Sequence, residues 1–187
     1  MASVHSTTDG PQAGPSGIPL PTTAFSRVAD RVINFIGEAS SWIWTVLMLL
    51  IVFQVAQRYI FGLGSIMFEE IQWHLYAVGF LLGLAMTEVR ERHVRIDVLA
   101  EHWPLRLRLR VELLGIIGLL LTFALFLLWF AVPFVVTSWQ LNEASSAPGG
   151  LPYRYALKSF IVTAFALLAL AGFSRLSRVW AALRARD

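Results

Sequence analysis

Long runs without a charged side chain limit this sequence more than any other feature does. Residues 39–57 and 113–142 contain no Asp, Glu, Lys or Arg. An α-helix rises 1.5 Å per residue, so about 20 apolar residues cross the roughly 30 Å hydrocarbon layer of a bilayer. Hydrophobic residues make up 57% of the chain and its mean hydropathy is +0.65, well above the values of a soluble domain. We therefore predict an all-α integral membrane protein.

The apolar runs predict four transmembrane helices, at about residues 39–58, 70–88, 111–139 and 157–175. The third helix should begin near Pro104, because proline is favoured in a first helical turn. Pro133 should kink it, because the proline ring clashes with the carbonyl of Trp129. The glutamates that flank the second span, and Lys158 and Arg175 around the fourth, are expected to extend toward the headgroups.

Three segments are predicted along the chain. Residues 1–22 are rich in Ser, Thr, Gly and Pro and poor in bulky apolar side chains, which predicts a disordered tail without a secretory signal. Residues 23–178 form the four-helix membrane domain, and residues 179–187 a basic cytoplasmic tail. From Phe25 to Ile36 apolar residues recur at helical spacing, which predicts an N-terminal interfacial helix before the first span. The absence of cysteine excludes disulfides.

The distribution of basic residues predicts the orientation. Four spans place twelve of the fifteen Lys and Arg residues on one side of the membrane. Basic loops tend to stay in the cytoplasm, so both termini and the central loop should be cytoplasmic. The arginines are divided among segments that flank the membrane and have no aromatic platform beside them, which argues against a nucleic-acid site.

Few residues indicate chemistry. His93 and Asp97 lie four residues apart and would share a helix face. Two ligands are too few for zinc, so we interpret them as a pair that fixes the central loop. Glu69 and Glu70, at the outer end of the second span, could bind a cation or pair with Arg58, and we favour an anchor or a subunit contact.

His74 is the only histidine inside a predicted span. A bis-histidine haem would need a second histidine in another span, so a haem anchor is weakly supported. No phosphate loop, nucleophile elbow or catalytic triad pattern occurs in the sequence. We therefore predict no enzyme activity, no cofactor and no metal site.

Four short motifs follow one another around the first two predicted spans. In chain order they are Arg58-Tyr59-Ile60-Phe61-Gly62, Phe68-Glu69-Glu70, Gly83-Leu84-Ala85 and His93-Val94-Arg95-Ile96-Asp97. With them, residues 25–178 resemble the small membrane (Q, DctQ-like) subunit of tripartite ATP-independent periplasmic (TRAP) transporters. Two departures stand out: Phe68 replaces a frequent tryptophan, and Lys158-Ser159-Phe160 replaces a Pro-x-Gly start of the last span.

The resemblance implies a noncatalytic subunit of the bacterial inner membrane. In that family a periplasmic solute-binding protein delivers an organic solute, often an organic acid, to two membrane subunits. The large, M-type subunit carries the solute and coupled ion sites, and the small subunit braces it. The residues expected to serve the fold or the subunit interface are Arg58, Tyr59, Phe61, Gly62, Glu69, Glu70, His93 and Asp97. The alternative is a self-sufficient membrane protein, either a redox anchor for haem or quinone or a homo-oligomeric channel.

Overall fold

The computed structural model describes residues 20–62, 64–90 and 103–185. Over these ranges the chain is all-helical and contains no strand. The helices are α1 (Ala24–Phe61), α2 (Ile66–Val89), α3 (Leu105–Gly115), α4 (Thr122–Gln140) and α5 (Arg154–Arg184). A π-helical segment, Ile116–Leu121, joins α3 to α4 without a break. The predicted all-α class is confirmed.

Helix α1 is one continuous helix of 38 residues. The backbone N–H of Ser26 donates to Thr23 Oγ1 and that of Thr23 donates to Ser26 Oγ, both at 3.0 Å, which is a reciprocal cap. The helix ends where Gly62 adopts φ 66° and donates to the carbonyl of Arg58. The prediction of a separate interfacial helix before the first span is therefore wrong. No proline interrupts residues 24–61, so the lead-in segment and the span remain one helix.

Three helical stretches are long and apolar enough to cross a membrane, judged by length and composition. They are Ala24–Phe61, Leu105–Gln140 and Arg154–Arg184, and they contain the predicted first, third and fourth spans. The long middle stretch begins directly after Pro104, as predicted. Helix α2 covers the predicted second span but is not among the three.

The π segment is a feature that the sequence did not predict. Its wider turn leaves the carbonyl of Ile117 available, and Thr122 Oγ1 donates to it at 2.8 Å, five residues on. The segment packs closely on α5 at a glycine. A Cβ atom on Gly172 would lie 2.8 Å from Leu121 Cδ2 and 2.9 Å from Leu120 Cδ2. The small residue thus permits the close approach, as is usual between membrane helices.

Helix α5 is the centre of the bundle. It packs against α1, α2, α3 and α4, while α1 and α3 make almost no contact with each other in the described part of the chain. Its buried positions are mostly small, such as Ala164, Ala171 and Gly172. The outward faces of the helices are broadly apolar, with Phe35, Trp42, Trp129 and many similar side chains exposed. Such faces suit lipid or another membrane protein.

The bundle has two distinct ends. At the polar end, α1 begins, α2 ends, α3 begins and α5 ends, and contacts between charged side chains connect them. At the loop end α1 ends, α2 begins and residues 141–153 connect α4 to α5; Glu70, near the start of α2, contacts this connection. Between the two ends each long helix has an uncharged middle, because residues 39–57, 75–87, 113–142 and 159–174 contain no Asp, Glu, Lys, Arg or His.

Candidate functional site

The polar end is organised around a buried arginine. Arg175 of α5 is only 2% exposed. Its Nε lies 2.5 Å from Glu112 Oε1 of α3, and its Nη1 lies 3.5 Å from Glu88 Oε1 of α2. One guanidinium therefore links three helices. A charge removed from water is tolerated only when it is paired and hydrogen bonded; here Glu112 accepts a hydrogen bond from the guanidinium and Glu88 forms an ion pair with it.

This arrangement corrects two expectations. Arg175 does not extend toward the headgroups, and Glu88, which is also buried, does not either. Both turn inward because an opposite charge on a neighbouring helix lies at the same depth. Lys158, the other cation expected to extend outward, instead contacts the Glu143 carboxylate at the loop end.

Helix α1 joins the same end through a second set of contacts. Ser174 Oγ donates to Asp30 Oδ1 at 2.6 Å, and Arg178 Nη1 lies 3.8 Å from Asp30 Oδ2. Arg90, just after α2, donates to Glu38 Oε1 at 2.6 Å and to Asn34 Oδ1 at 2.9 Å. Together with Arg175, these contacts connect α1, α2, α3 and α5. We call this set the end network.

At the loop end, Glu70 holds the connection between α4 and α5. Its carboxylate accepts the backbone N–H of Leu151 at 2.6 Å and the hydroxyl of Ser145. A Cβ atom on Gly150 would lie 2.6 Å from Ser145 Cβ, so the backbone passes too close for a side chain there. His74 Nδ1 lies 2.6 Å from the Glu70 carbonyl, which orients its ring along its own helix. The start of α2 is thus hydrogen bonded to the connection between α4 and α5.

Glu143 forms a second polar contact set at this end. Its carboxylate accepts from Lys158 Nζ and, at 2.7 Å, from Ser138 Oγ. The Lys158 ammonium also lies 4.0 Å from the centre of the Phe134 ring. Two hydrogen bonds lower the pKa of the Glu143 carboxyl below its ordinary value of 4.5. The bond from Lys158 has the larger effect and that from Ser138 the smaller one.

The lowered pKa of Glu143 predicts a pH dependence of stability. A carboxyl whose folded pKa lies below its unfolded value stabilises the fold at pH values above 4.5, and this contribution is lost as the pH falls through the folded value. Wild type should therefore melt at a higher temperature than Glu143→Gln at pH 7, and the gap should close on acidification. Thermal unfolding in detergent measures this. Ser138→Ala retains the carboxylate and the larger effect of Lys158, so it should retain a weaker pH dependence of the same sign. A gap that widens in acid would contradict the assignment.

The structure places the predicted site residues that it describes at the loop end, where α1 ends and α2 begins. Arg58, Tyr59 and Phe61 are exposed at the loop end, the latter two at 84% and 70%, and Gly62 caps α1. Glu69 is exposed, with its Oε1 3.5 Å from Gln54 Nε2.

The ion pair considered between Arg58 and either glutamate is not formed within the described residues. Glu70 is held by the loop instead. His93 and Asp97 lie outside the described residues, so the structure does not test their predicted pairing.

The sequence reasoning missed the end network. From the sequence, Glu88 and Arg175 are expected to extend toward the headgroups, and Glu112 is assigned no role. A usable signal existed, since opposite charges at the same predicted depth on different spans are candidates to pair. Only the packing of α2 and α3 against α5 shows that they do.

No group of three or more His, Cys, Asp or Glu that could hold a metal ion occurs in the described ranges. The ionisable side chains of the two ends serve mainly to connect helices, and the helix middles offer apolar surface. The fold and these contacts define a helical membrane protein braced at both ends of its bundle.

Comparison with known protein families shows which kind of helical membrane protein this chain is. The model for the DctQ component of tripartite ATP-independent periplasmic transporters matches residues 47–182, and the chain belongs to that family. The resemblance inferred from the four motifs is confirmed. The family is a transporter component and not an enzyme family, and its chains are multi-pass membrane proteins. No curated protein and no solved structure matches the chain.

Proposed function

We propose that this chain is the small permease subunit of a TRAP-type secondary transporter. In this role it scaffolds a large membrane subunit that imports an organic solute, which we propose to be an organic acid, with ion coupling. A periplasmic binding protein delivers the solute. The observation that carries the proposal is the family match over residues 47–182.

The distribution of polar groups supports a scaffold. A solute or ion site near the middle of the bilayer needs polar side chains or broken helices to replace hydration. Here the long helices have uncharged middles, and the charged groups of the end network contact one another. Such a bundle holds its own shape while presenting apolar faces to a partner.

The exposed loop-end motif supports a subunit contact. Tyr59 and Phe61 expose large aromatic surfaces beside the charged Arg58 and, across the turn, Glu69. Aromatic and arginine side chains are enriched in protein interfaces. We assign these four residues to the contact with the large subunit, and Gly62 and Glu70 to the fold that presents them. His93 and Asp97 keep the proposed role of fixing the central loop.

We also propose four spans with both termini in the cytoplasm. Helix α2 has 24 residues, which corresponds to about 36 Å at 1.5 Å per residue and is long enough for a bilayer. It packs along α1 and α5, two of the candidate spans. Its two ends contact opposite ends of the bundle, through Glu70 and Glu88.

The topology can be tested with single cysteines, because the chain has none of its own. Gly64→Cys and Ser146→Cys should both react with a membrane-impermeant maleimide added to spheroplasts, and Ala185→Cys should react only after lysis. If α2 did not span, Gly64 and Ser146 would lie on opposite sides and only one of the two would be labelled. Labelling of Ala185→Cys in intact spheroplasts would show that the C-terminus lies outside the cytoplasm, which contradicts the proposed orientation.

Affinity purification of the tagged chain from native membranes in mild detergent tests the function. We expect a much larger, many-span membrane protein in stoichiometric amount. A Glu69→Ala variant should recover less of it, while Glu38→Gln, which alters an exposed carboxylate at the polar end, should recover the wild-type amount. Recovery of the chain alone would contradict the proposal. A Soret band would then favour haem bound through His74, and ion flux without a partner would favour a channel.

A further inference from the structure

An apolar groove runs between α1 and α3 at the polar end, with α5 as its floor. It has a volume of about 470 Å³. Its walls are Phe25 of α1 and Leu113 and Ile117 of the α3–π stretch, and its floor includes Phe173, Leu176 and Trp180. The groove exists because α1 and α3 both pack on α5 but hardly on each other over the described residues.

Two exposed arginines continue the lining of this groove beyond its apolar part. On α3, Arg110, Leu113 and Ile117 follow one another at spacings of three and four residues, which places them on one face. On α5, Arg184 comes one turn after Trp180, and its guanidinium carbon lies 5.3 Å from the centre of that indole ring. Since α3 begins and α5 ends at the polar end, both arginines lie at the same mouth of the groove.

We propose that this groove is a binding site for an anionic phospholipid. An acyl chain would lie between Phe25 and Ile117 on the α5 floor, and Arg110 and Arg184 would contact the phosphate and the anionic headgroup. The volume falls within the roughly 300–1,000 Å³ of typical ligand sites. Basic pockets between membrane helices are suited to anionic headgroups, and this charge complementarity distinguishes a lipid from an apolar protein helix as the occupant.

The lipid site is independent of the proposed transport role, because it requires only that the bundle lies in a membrane. The end network holds α2 and α3 on α5, and Asp30 holds α1 there, so the groove between them has fixed walls. A bound lipid would fill the gap that this bracing leaves.

Titration of the full chain in detergent with phosphatidylglycerol or phosphatidylcholine of the same acyl chains, followed by native mass spectrometry, tests the site. Each arginine near a headgroup contributes about fivefold in affinity, so phosphatidylglycerol should bind about 30-fold more tightly. Arg110→Gln/Arg184→Gln should reduce the preference to within about threefold. Ile117→Trp, which fills the groove, should weaken both lipids.

The matched control is Arg27→Gln/Arg31→Gln. Arg27 and Arg31 are exposed at the polar end on the side of α1 away from Phe25, so this pair should retain the preference. An equal loss in both double variants would show a general surface-charge effect and overturn the site, as would equal binding of the two lipids by wild type. If lipid bound only after deletion of residues 1–19, that segment would be the occupant of the groove, and the proposal would also be overturned.

Discussion

Replacing Arg175 with methionine is expected to destabilise the bundle by about 3–5 kcal/mol, the usual cost of leaving buried charges without their partner. Methionine occupies a similar volume, so the loss reports on charge more than on packing. Glu112, 2.5 Å away, and Glu88, 3.5 Å away, would keep their carboxylates in a buried setting without the cation. Denaturant unfolding of the purified chain in detergent measures the change.

Two comparison variants separate this effect from surface electrostatics. Glu38→Gln removes an ion pair at the same end of the bundle, but the Glu38 side chain is 67% exposed, so its loss should cost less than about 1 kcal/mol. Arg175→Met/Glu112→Gln should be more stable than Arg175→Met alone, because it removes a carboxylate that has lost its partner. If Arg175→Met proved as mild as Glu38→Gln, the end network would not brace the helices.

Gly37→Ala is expected to destabilise the chain by about 1–3 kcal/mol even though alanine is the better helix former. The added Cβ would lie 2.7 Å from Met86 Cβ and 2.8 Å from Met86 Cγ, so α1 and α2 would have to separate. The flexible end of the Met86 side chain can move, but its Cβ is fixed to the α2 backbone. Thermal unfolding in detergent measures the loss.

Gly83, which lies in α2, provides the matched control for the Gly37 substitution in α1. A Cβ atom there would meet no atom within 4 Å. Gly83→Ala should therefore stabilise the chain by up to about 1 kcal/mol, through helix propensity alone. Opposite signs for the two substitutions would support close packing of α1 on α2, whereas a stabilising Gly37→Ala would contradict it.

The sequence predicted the helices well because hydropathy and helix length are local properties. Long uncharged runs, Pro104 at a helix start and the motifs before and after Gly62 can all be read within a short window. The continuity of α1 was not predicted, because Glu38, which follows Gly37, is the last charged residue before the uncharged run at residues 39–57 and so marks the edge of the predicted span. In the structure the glycine serves the contact with α2, and no chain break is needed.

The contacts that define the two ends were not predictable in the same way. Glu112 and Arg175 are 63 residues apart in the chain, and Glu70 and Leu151 are 81 apart. Hydropathy gives the depth of such residues in the membrane, but it does not give the direction in which they point around the helix axis. That direction depends on which helices pack together, and a single sequence does not reveal it.

The π segment also has a consequence for comparing related chains. Its wide turn accommodates one residue more than an α-helical turn does, so it offsets the side-chain register of α4 from that of α3 by about 100°. A relative that lacks this residue would align with a one-residue gap somewhere in 116–121 while retaining both helices. Deleting Gly118, for example, would let an α-helical turn replace the π turn and would leave the side chains from Thr122 onward facing as before, so such a gap would mark a lost π turn and neither a rotated α4 nor a shortened loop.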